Sequence, residues 1–455
     1  MLRTGGVQTQ TPNLTTDEDV ARRVNAYVEG DAEHWSYKGN ATREHSHAYF
    51  QYPAMMVPGM QADLIKTIID AKPSTTALYD PFAGSGTVLT EAILLGRDFL
   101  ARDINPLAIL LCNAKKGPFF TDAATEKAAA LLDRITNDGK TSLEASFAGR
   151  DKWFIKAVSI QLSKIRRAIR QEPSLWCRRF FWITLAETIR VTSNSRTSTF
   201  KLHIRPETEL ATRRPDPVTT FASVLEENLT NLESLTDELK KRELINQGRY
   251  QGSITVELHD AREHTSTGKG EYDLLVTSPP YGDNVSTVPY GQAAYLPLQW
   301  IDLADIDPAI TPDCINTTHE IDFRSLGGSK KNALQDTEEL KEQSPTFRAT
   351  LAALEQEPRD RTTRVAAFIK DLNKALDAIL AMLRRDAYLI WTVGNRRVAQ
   401  RPVPLDAILT ELLHHRRVLP IASIARTIPT KRMALKNNIT DTMGAESILV
   451  FRKGT

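Results

Sequence analysis

The sequence predicts an α/β protein whose parallel sheet is interrupted by a mainly helical, basic insert. Residues 76–104 read strand, Gly-rich turn, helix and strand, which is how a sheet with crossover helices begins. The next apolar strand followed by an acid, at 254–258, comes about 150 residues later. The residues between these strands are rich in helical patterns at 122–170 and in Lys and Arg at 150–214. A segment therefore separates the second strand of the sheet from the third.

The other elements are predicted from hydrophobic spacing. Pro58 precedes apolar residues at near-helical spacing, at a position where the missing N–H of proline costs nothing. Residues 283–350 are polar and predict mostly loop. In chain order, the sequence predicts a helix from 58 to about 71, a strand at 76–79, a helix at 88–95, strands at 98–104, 254–258 and 272–277, an amphipathic helix at 365–383, a strand at 387–394, a helix at 405–413 and a strand at 447–453.

The composition is that of a globular protein with more than one domain. The chain has 455 residues, 41% hydrophobic and 25% charged, which excludes collagen-like, fibrous and disordered classes. The three cysteines have no spacing typical of a zinc site or a disulfide framework, so we expect a reducing compartment and no metal. The first residues lack the apolar core of a signal peptide, and no apolar stretch would span a bilayer. We therefore expect a cytoplasmic protein without membrane contact.

The segment DPFAGSGT at 80–87 follows the first strand, where a parallel sheet presents its ligand crevice. Gly84 and Gly86 remove side chains where a ligand approaches the backbone. A diphosphate site would require a third glycine or a Walker lysine, but Thr87 follows Gly86. The turn therefore favours a ligand without phosphates, and an ordinary tight turn is the alternative.

Acidic residues follow the next two strands. Asp103 comes at the end of the second strand and is placed to accept hydrogen bonds from the two hydroxyls of a ribose, or to cap the helix after it. Asp260 follows the third strand and can accept from the amine of an adenine, or be a surface carboxylate. Since glycine and acid signals recur at successive strand ends, we expect them to share one crevice.

The sequence TSPPY at 277–281 follows another strand and points to a reaction on an amine. Two prolines fix the backbone and leave carbonyl acceptors without N–H donors. Ser278 adds a hydroxyl acceptor and Tyr281 a flat ring, so the loop can hold an exocyclic amine and stack on the attached base. The alternative is a Ser-Pro-Pro turn with a tyrosine in the core.

Together, DPFAGSGT and TSPPY resemble the motifs of class I S-adenosylmethionine-dependent DNA amino-methyltransferases of the N4-cytosine type. The segments HSHAYFQYPAMM, SPPYGDNVSTVPYGQ and NNITDTMGAESILVFRK are also similar to this group, and the similarity covers roughly 45–112 and 250–455. The resemblance implies a Rossmann-like sheet, S-adenosylmethionine as cofactor and no covalent intermediate. Serine before Pro-Pro-Tyr favours cytosine over adenine as target. Methylation of cytosine C5 would require a Pro-Cys loop, which the sequence lacks.

The resemblance also implies which residues form the site. The implied cofactor-binding residues are Tyr52, Pro53, Asp80, Phe82, Gly84, Ser85, Gly86, Thr87, Asp103, Ile104, Asp260 and Ala261. The implied catalytic residues are Ser278, Pro279, Pro280 and Tyr281, with the Tyr281 ring stacking on a target base that has been flipped out of the duplex.

The insert carries the charge expected of a DNA-binding region. Residues 150–214 contain fifteen Lys or Arg and five acids, a net charge of +10 that leaves −8 for the rest of the chain. A solvated helical face is the alternative. The residues best suited to a DNA groove are Arg190, Asn194, Arg196, Lys201 and Arg205. We predict a polar extension at 1–44, a methyltransferase domain formed by 45–112 and 251–455, and a DNA-recognition insert at 113–250.

These observations predict a site-specific enzyme that methylates the N4 amine of cytosine in double-stranded DNA. We expect it to be the modification enzyme of a restriction system, with any cognate endonuclease acting independently. Two alternatives stay open: methylation of adenine N6 in DNA or of RNA, and a DNA-binding module with an inactive methyltransferase fold. The intact glycine pair, acids and diproline loop favour an enzyme.

Overall fold

The computed structural model describes residues 15–31, 33–38, 43–284, 286–428 and 444–454. Its strands are β1 (Ala77–Asp80), β2 (Asp98–Asp103), β3 (Ile245–Asn246), β4 (Arg249–Tyr250), β5 (Ile254–Leu258), β6 (Tyr272–Thr277), β7 (Leu383–Val393), β8 (Arg396–Val398), β9 (Arg401–Val403), β10 (Val418–Thr427) and β11 (Ala445–Lys453). Its α-helices are α1 (Thr16–Gly30), α2 (Pro58–Ala71), α3 (Thr87–Leu94), α4 (Pro106–Lys115), α5 (Thr121–Asn137), α6 (Arg150–Trp153), α7 (Lys156–Arg170), α8 (Leu175–Thr192), α9 (Glu207–Thr212), α10 (Pro217–Lys241), α11 (Tyr290–Leu298), α12 (Leu303–Ile306), α13 (Glu320–Arg324), α14 (Glu338–Gln343), α15 (Pro345–Ala353), α16 (Arg359–Met382) and α17 (Leu405–His415).

Seven strands form one twisted sheet in the order β10-β11-β7-β6-β1-β2-β5. The five strands from β7 to β5 are parallel, whereas β11 is antiparallel to both of its neighbours. From β1 the chain winds outward to β2 and β5 on one side, and to β6 and β7 on the other. This reversal opens a crevice at the carboxyl ends of β1 and β6. The predicted Rossmann-like α/β sheet with helical regions is therefore confirmed.

The helices beside the crevice begin at residues suited to helix starts. Gly84 and Gly86 have φ of 50° and 68°, left-handed values that glycine adopts without a steric penalty. Helix α3 starts directly after Gly86. Helix α4 starts with Pro106 at its first position, and the Asn105 side chain accepts a hydrogen bond from the Leu107 amide at 3.0 Å. The backbone turns that face the crevice are thus held by local sequence.

The segment between β2 and β5 is mainly helical and packs on the sheet domain. Buried residues of α8 and α10 belong to the same hydrophobic core as α3, α4 and one face of the sheet. Polar contacts add to this packing: Arg166 pairs with Asp302 at 2.7 Å, and Arg178 pairs with Asp305 at 2.7 Å. The Trp182 indole also donates to Asp305 at 2.8 Å.

Every element predicted from hydrophobic spacing is present, but other parts of the chain are more ordered than predicted. The region 283–350, expected to be mostly loop, contains the short helices α11 to α14 and the start of α15. Strand β10 was not predicted, because its alternating pattern is weak. Residues 15–30 of the expected polar extension begin with a capping box at Thr15 and bury Val20 and Val24 against the sheet domain. Residues 437–443 of the segment NNITDTMGAESILVFRK lie outside the described residues.

In the part of the chain that the structure describes, no helix has the length and apolar character needed to cross a bilayer. Cys112, Cys177 and Cys314 are free and buried. Within the same described ranges, no three metal-ligating side chains are grouped closely enough to hold an ion.

Candidate active site

A cleft opens at the carboxyl ends of β1, β2, β5 and β6. It encloses about 780 Å³ including its open mouth, which is within the usual range for small-ligand sites. The residues that line it are Tyr52, Pro53, Ala54, Met56, Pro81, Phe82, Ala83, Gly84, Ser85, Asp103, Ile104, Asn105, His259, Asp260, Ala261, Ser278, Pro280, Asn284, Tyr290, Ile321, Ser325 and Leu326. Residues from the Gly-rich turn and from the diproline loop therefore face one cavity.

Asp103 is fixed in the cleft by backbone N–H groups. Its Oδ2 accepts from the Gly84 amide and its Oδ1 from the Asn105 amide, both at 2.8 Å. Burial raises the pKa of Asp103 to about 6, and these amide donors limit the rise. The carboxylate is therefore mostly ionised at neutral pH, and each oxygen keeps a lone pair for a ligand hydroxyl.

Tyr52 lines the cleft beside this acid. Its hydroxyl accepts from Asn105 Nδ2 at 2.9 Å, and its ring stacks on Tyr290 with centroids 5.9 Å apart. A Cβ atom on Gly84 would lie 3.5 Å from Tyr52 Cε1, so the bare backbone of Gly84 packs against the ring edge. Tyr290 belongs to α11, in the region expected to be loop, and its place in the cleft was missed.

Three of the residues implied as cofactor ligands lie behind the cleft surface. Asp80 is fully buried, and its Oδ1 accepts from Thr277 Oγ1 at 2.6 Å and from the Phe82 amide at 3.0 Å. Burial raises the pKa of Asp80 to about 7. Gly86 and Thr87 are also absent from the lining, and a Cβ atom on Gly86 would lie 3.1 Å from a cysteine sulfur. These residues support the turn from beneath.

The diproline loop is connected by hydrogen bonds to the far edge of the sheet. Ser278 and Pro280 line the cleft, whereas Pro279 and Tyr281 do not. The oxygens of Ser278 Oγ and the Tyr281 hydroxyl are 3.2 Å apart, and Tyr281 donates to Glu446 Oε1 at 2.9 Å. Burial, reinforced by the Glu446 charge, raises the pKa of Tyr281 well above its usual range, so the phenol stays neutral.

Arg426 completes this connection. Its Nε donates to Glu446 Oε2 at 2.7 Å, so the carboxylate has an arginine on one oxygen and a tyrosine on the other. Sequence reasoning missed Glu446 and Arg426. Their places follow from the antiparallel pairing of β10 with β11, in which Arg426 and Glu446 are register partners.

Asp260 lines the cleft as part of an ion-pair network. Arg262 donates to both of its carboxylate oxygens, with a shortest distance of 2.5 Å, and also binds Asp371 at 2.9 Å. Burial opposes ionisation of Asp260, but the hydrogen bonds from Arg262 outweigh it and lower the pKa. A ligand amine at this position would share the carboxylate with an arginine.

Asn284 is a cleft residue that the sequence did not reveal. Its side chain is 2% exposed, and its Oδ1 has no hydrogen-bond partner among the described residues. Burial raises the pKa of nearby Asp322 to about 6, and the Gly291 amide and the Asn284 side chain limit the rise. A buried acceptor without a donor is costly, so this oxygen is suited to a ligand that brings an N–H or O–H group.

The five residues predicted to contact DNA have different surroundings. Arg190 pairs with Glu187 at 2.5 Å, and Arg205 pairs with Glu209. Asn194 is 8% exposed, and its amide donates to the Lys152 carbonyl at 3.1 Å. Arg196 is exposed and Lys201 half-buried, and within the described ranges neither forms an ion pair.

The sheet order, with the antiparallel β11 between β7 and β10, and the cleft beside β1 are those of the Rossmann-like methyltransferase fold. No protein-family model matches the chain. The chain is similar to the Type II methyltransferase M.MvaI of Kocuria varians, with 29% identity over 443 residues that cover 95% of each protein. The similarity therefore extends over the sheet and the helical insert alike, and it supports an enzyme that transfers methyl groups.

Proposed function

We propose that the protein is a site-specific DNA methyltransferase that transfers a methyl group from S-adenosylmethionine to the N4 amine of cytosine in double-stranded DNA. The observation that carries this proposal is that Gly84 and Asp103 lie in the same cleft as Ser278 and Pro280. A nucleoside cofactor and a target amine would thus meet in one cavity. The relative from Kocuria varians, a Type II methyltransferase, supports the same reaction class and a role as the modification enzyme of a restriction system.

The residues of the cleft support S-adenosylmethionine as the cofactor. Asp103 would hold the ribose hydroxyls, and Gly84 leaves room for the cofactor beside the backbone. The Oδ1 of Asn284 has no hydrogen-bond partner in the part of the chain that the structure describes, and it would accept from a cofactor N–H group. The carboxylate of Asp103, which no cation neutralises among the described residues, repels phosphates and favours a positively charged cofactor. When bound, S-adenosylmethionine supplies an electrophilic methyl group on a sulfonium.

The diproline loop would hold the target amine. Ser278 Oγ lines the cleft and would accept one hydrogen of the amine. The carbonyl of Pro279, the next residue, would accept the other, although Pro279 is not part of the cleft lining. These bonds direct the nitrogen lone pair out of the plane of the base and toward the cofactor. Positioning of two reactants contributes roughly 7–11 kcal/mol to barrier lowering, so a rigid loop is the main requirement.

A basic surface beside the cleft suits the DNA backbone. Residues 194–205 form a hairpin in which Ser195 pairs with Ile204. The hairpin is joined to residues 152–156, because the Asn194 amide N–H donates to the Trp153 carbonyl at 2.8 Å. We name these two segments the hairpin surface. Its cations without an ion pair among the described residues are Lys152, Lys156, Arg196 and Lys201.

The hairpin surface is next to the cleft. The Leu202 amide donates to Gln292 Oε1 at 3.1 Å, and Gln292 lies on α11 two residues after the cleft residue Tyr290. Ile155 and Ile204 are 47% and 42% exposed on the same surface. These two side chains and the neighbouring cations Lys152, Lys156 and Arg196 are therefore accessible to a partner. Duplex DNA bound here would present a flipped base to the diproline loop.

Much of the charge of the insert is internal to the protein. Seven of the fifteen cations at 150–214 form ion pairs with carboxylates: Arg150, Arg166, Arg167, Arg170, Arg178, Arg190 and Arg205. We therefore assign phosphate contacts to the hairpin surface and keep Arg196 and Lys201 from the sequence prediction. We do not assign Asn194 a contact with DNA bases, because its buried side-chain amide holds the hairpin in place.

Sequencing that detects modified bases tests this function. DNA from cells that express the protein should contain N4-methylcytosine in one short motif, and DNA from cells that express Ser278→Ala should lack it. A cognate endonuclease acting independently should then fail to cut that motif. N6-methyladenine, or a modified base in RNA alone, would replace the cytosine assignment. No modified base, together with no S-adenosylmethionine binding in calorimetry, would leave a DNA-binding protein without this activity.

A further inference from the structure

We propose that Glu446 is the final acceptor of the proton that the target amine loses, and that Ser278 and Tyr281 carry this proton to it. The inference rests on the function proposed above and adds a proton path to it. It is drawn from a continuous chain of hydrogen-bonding oxygens that starts in the cleft and ends on a carboxylate.

The reaction requires such an acceptor. When the lone pair of the amine nitrogen forms the bond to the methyl carbon, the electrons of the broken S–C bond stay on sulfur. The nitrogen then carries a positive charge until it loses one of its two hydrogens as a proton. A serine hydroxyl can take up this proton only if it passes on its own, because a doubly protonated serine oxygen is a strong acid.

The chain of oxygens allows each group to give and receive one proton. The amine proton passes to Ser278 Oγ while the serine proton passes to the Tyr281 oxygen, 3.2 Å away. The phenolic proton passes to Glu446 Oε1, 2.9 Å away. At the end the amine bears one methyl group and one hydrogen, Ser278 and Tyr281 are unchanged, and Glu446 is a neutral carboxylic acid. The neutral phenol of Tyr281 is the form that can pass a proton on.

The surroundings of Glu446 suit an acceptor that recovers after each turnover. Among the described residues, the titratable groups that face it are Arg426, Tyr281 and Tyr290. Arg426 is 7% exposed and is held by the Trp35 carbonyl at 3.3 Å, so its charge is fixed beside the carboxylate. The Glu446 side chain is 14% exposed, which leaves a route by which the proton reaches solvent.

The other carboxylates of the cleft region are engaged elsewhere. Asp103 and Asp322 are bound to backbone N–H groups, Asp260 is bound to Arg262, and Asp80 is buried beneath the turn. Among the described residues, Glu446 is the carboxylate that hydrogen bonds connect to Ser278. We therefore assign it the proton rather than any of these aspartates.

The test compares Glu446→Gln, Glu446→Asp and Tyr281→Phe with the wild type at single turnover. The side-chain amide introduced by Glu446→Gln would still accept from Tyr281 but could not take up a proton, so we expect the methyl-transfer rate constant to fall about 10²-fold, as when an acid–base group is lost. Glu446→Asp should recover part of the rate. Tyr281→Phe should lose a similar factor, and combining it with Glu446→Gln should add little, because both changes interrupt one path.

Asp17→Asn is the matched control. Asp17 also lies between a tyrosine and an arginine, since it accepts from Tyr388 at 2.6 Å and from Arg452 at 2.8 Å, but none of the three lines the cleft. This variant should lose stability and keep its rate constant. If Asp17→Asn slows methyl transfer as much as Glu446→Gln does, the effect is structural and the proton path is wrong.

Two measurements that do not depend on turnover complete the test. Binding of the cofactor analogue sinefungin should be unchanged in Glu446→Gln. The phenol of Tyr281, followed by ultraviolet difference titration against Tyr281→Phe, should ionise at lower pH in Glu446→Gln, because the carboxylate raises its pKa.

The outcomes are distinct. Wild-type rates in Glu446→Gln, or full additivity in the double variant, would overturn the proton path while methylation itself stands. A wild-type protein that methylates no DNA would instead remove the proposed function. Should Glu446→Gln fail to fold, Tyr281→Phe decides: a wild-type rate in that variant would equally rule out the path.

Discussion

Thr277 Oγ1 donates a 2.6 Å hydrogen bond to Asp80 Oδ1, which joins the last residue of β6 to the last residue of β1. Both groups are buried. The Gly-rich turn follows Asp80 in the chain, and the diproline loop follows Thr277. Together with the pairing of β1 and β6, this bond therefore fixes the loop that would hold the cofactor relative to the loop that would hold the target amine.

Replacing Thr277 by Val should loosen the arrangement of these two loops. The change keeps the shape of the side chain and removes the donor, so the buried Asp80 carboxyl loses its bond at a cost of about 1–3 kcal/mol. We expect a lower free energy of unfolding in urea and weaker binding of S-adenosylmethionine in calorimetry. Thr236→Val is the control, because its buried hydroxyl bonds only to its own helix at Leu232. Equal cofactor affinities in the two variants would contradict the assignment.

The buried Asp80 should make stability depend on pH. Its pKa is raised from 3.8 to about 7, so the folded state binds its proton more tightly than the unfolded state does. Its contribution is complete below pH about 4 and is lost as the pH rises through 7. Asp80→Asn should remove this loss. The unfolding free energy of the variant minus that of the wild type should therefore increase by on the order of 1–3 kcal/mol from pH 5 to pH 8.

Urea unfolding of both proteins at pH 5 and pH 8 measures this difference. Asp138→Asn serves as the control, because hydrogen bonds from Arg167 lower the pKa of Asp138 and its contribution is already complete at pH 5. Its difference from wild type should be the same at both pH values. A constant difference for Asp80→Asn as well would show that its carboxyl does not titrate in this range.

Gly84→Ala should weaken cofactor binding without unfolding the protein. The φ of 50° at this position costs a non-glycine residue about 1–2 kcal/mol, and the added methyl group would occupy the cleft surface beside Tyr52. Gly149→Ala is matched in backbone, with φ of 77°, but it lies outside the cleft lining with nothing within 4 Å of an added Cβ. Calorimetry should show weaker S-adenosylmethionine binding in Gly84→Ala but not in Gly149→Ala. If both variants lose affinity, backbone strain rather than contact with the cofactor is the cause.

Arg196→Ala and Lys201→Ala should weaken DNA binding through lost phosphate contacts. Each removed contact lowers the slope of log K against log salt by about 0.9, and the loss should be similar for all DNA sequences. Fluorescence anisotropy at several salt concentrations measures both effects. Arg190→Ala is the control, because Glu187 already neutralises this arginine. A larger loss in Arg190→Ala would place the DNA elsewhere on the insert.

The sequence predicted what depends on local pattern. The turn at Gly84 and Gly86, the acid at Asp103 and the diproline loop each follow a strand, and parallel strands bring their carboxyl ends together. Partners that come from distant segments carry no such signal. Arg166 and Arg178 read as free positive charge, yet their partners Asp302 and Asp305 lie more than 100 residues further along the chain.

Glu446 was missed for the same reason. It lies 165 residues after Tyr281, and nothing near it in the sequence suggests a link to the diproline loop. Only the pairing of β11 with β7, and of β7 with β6, brings the strand that carries Glu446 toward the loop after β6. The Asp260–Arg262 pair was also missed, although the two residues are only two positions apart. An aspartate and an arginine at this spacing also occur on exposed surfaces, so the sequence alone does not indicate this ion pair.

The ion pairs from Asp302 and Asp305 to the helical insert have a practical consequence for engineering. Residue 302 directly precedes α12 and residue 305 lies within it, far from the insert in sequence, yet both bind its arginines. A chimaera that grafts the insert of another enzyme at 113–250 would leave these two aspartates facing unsuitable side chains. Transplanting residues 302–306 together with the insert would preserve these ion pairs, so an exchange of the insert should be designed with two crossover segments instead of one.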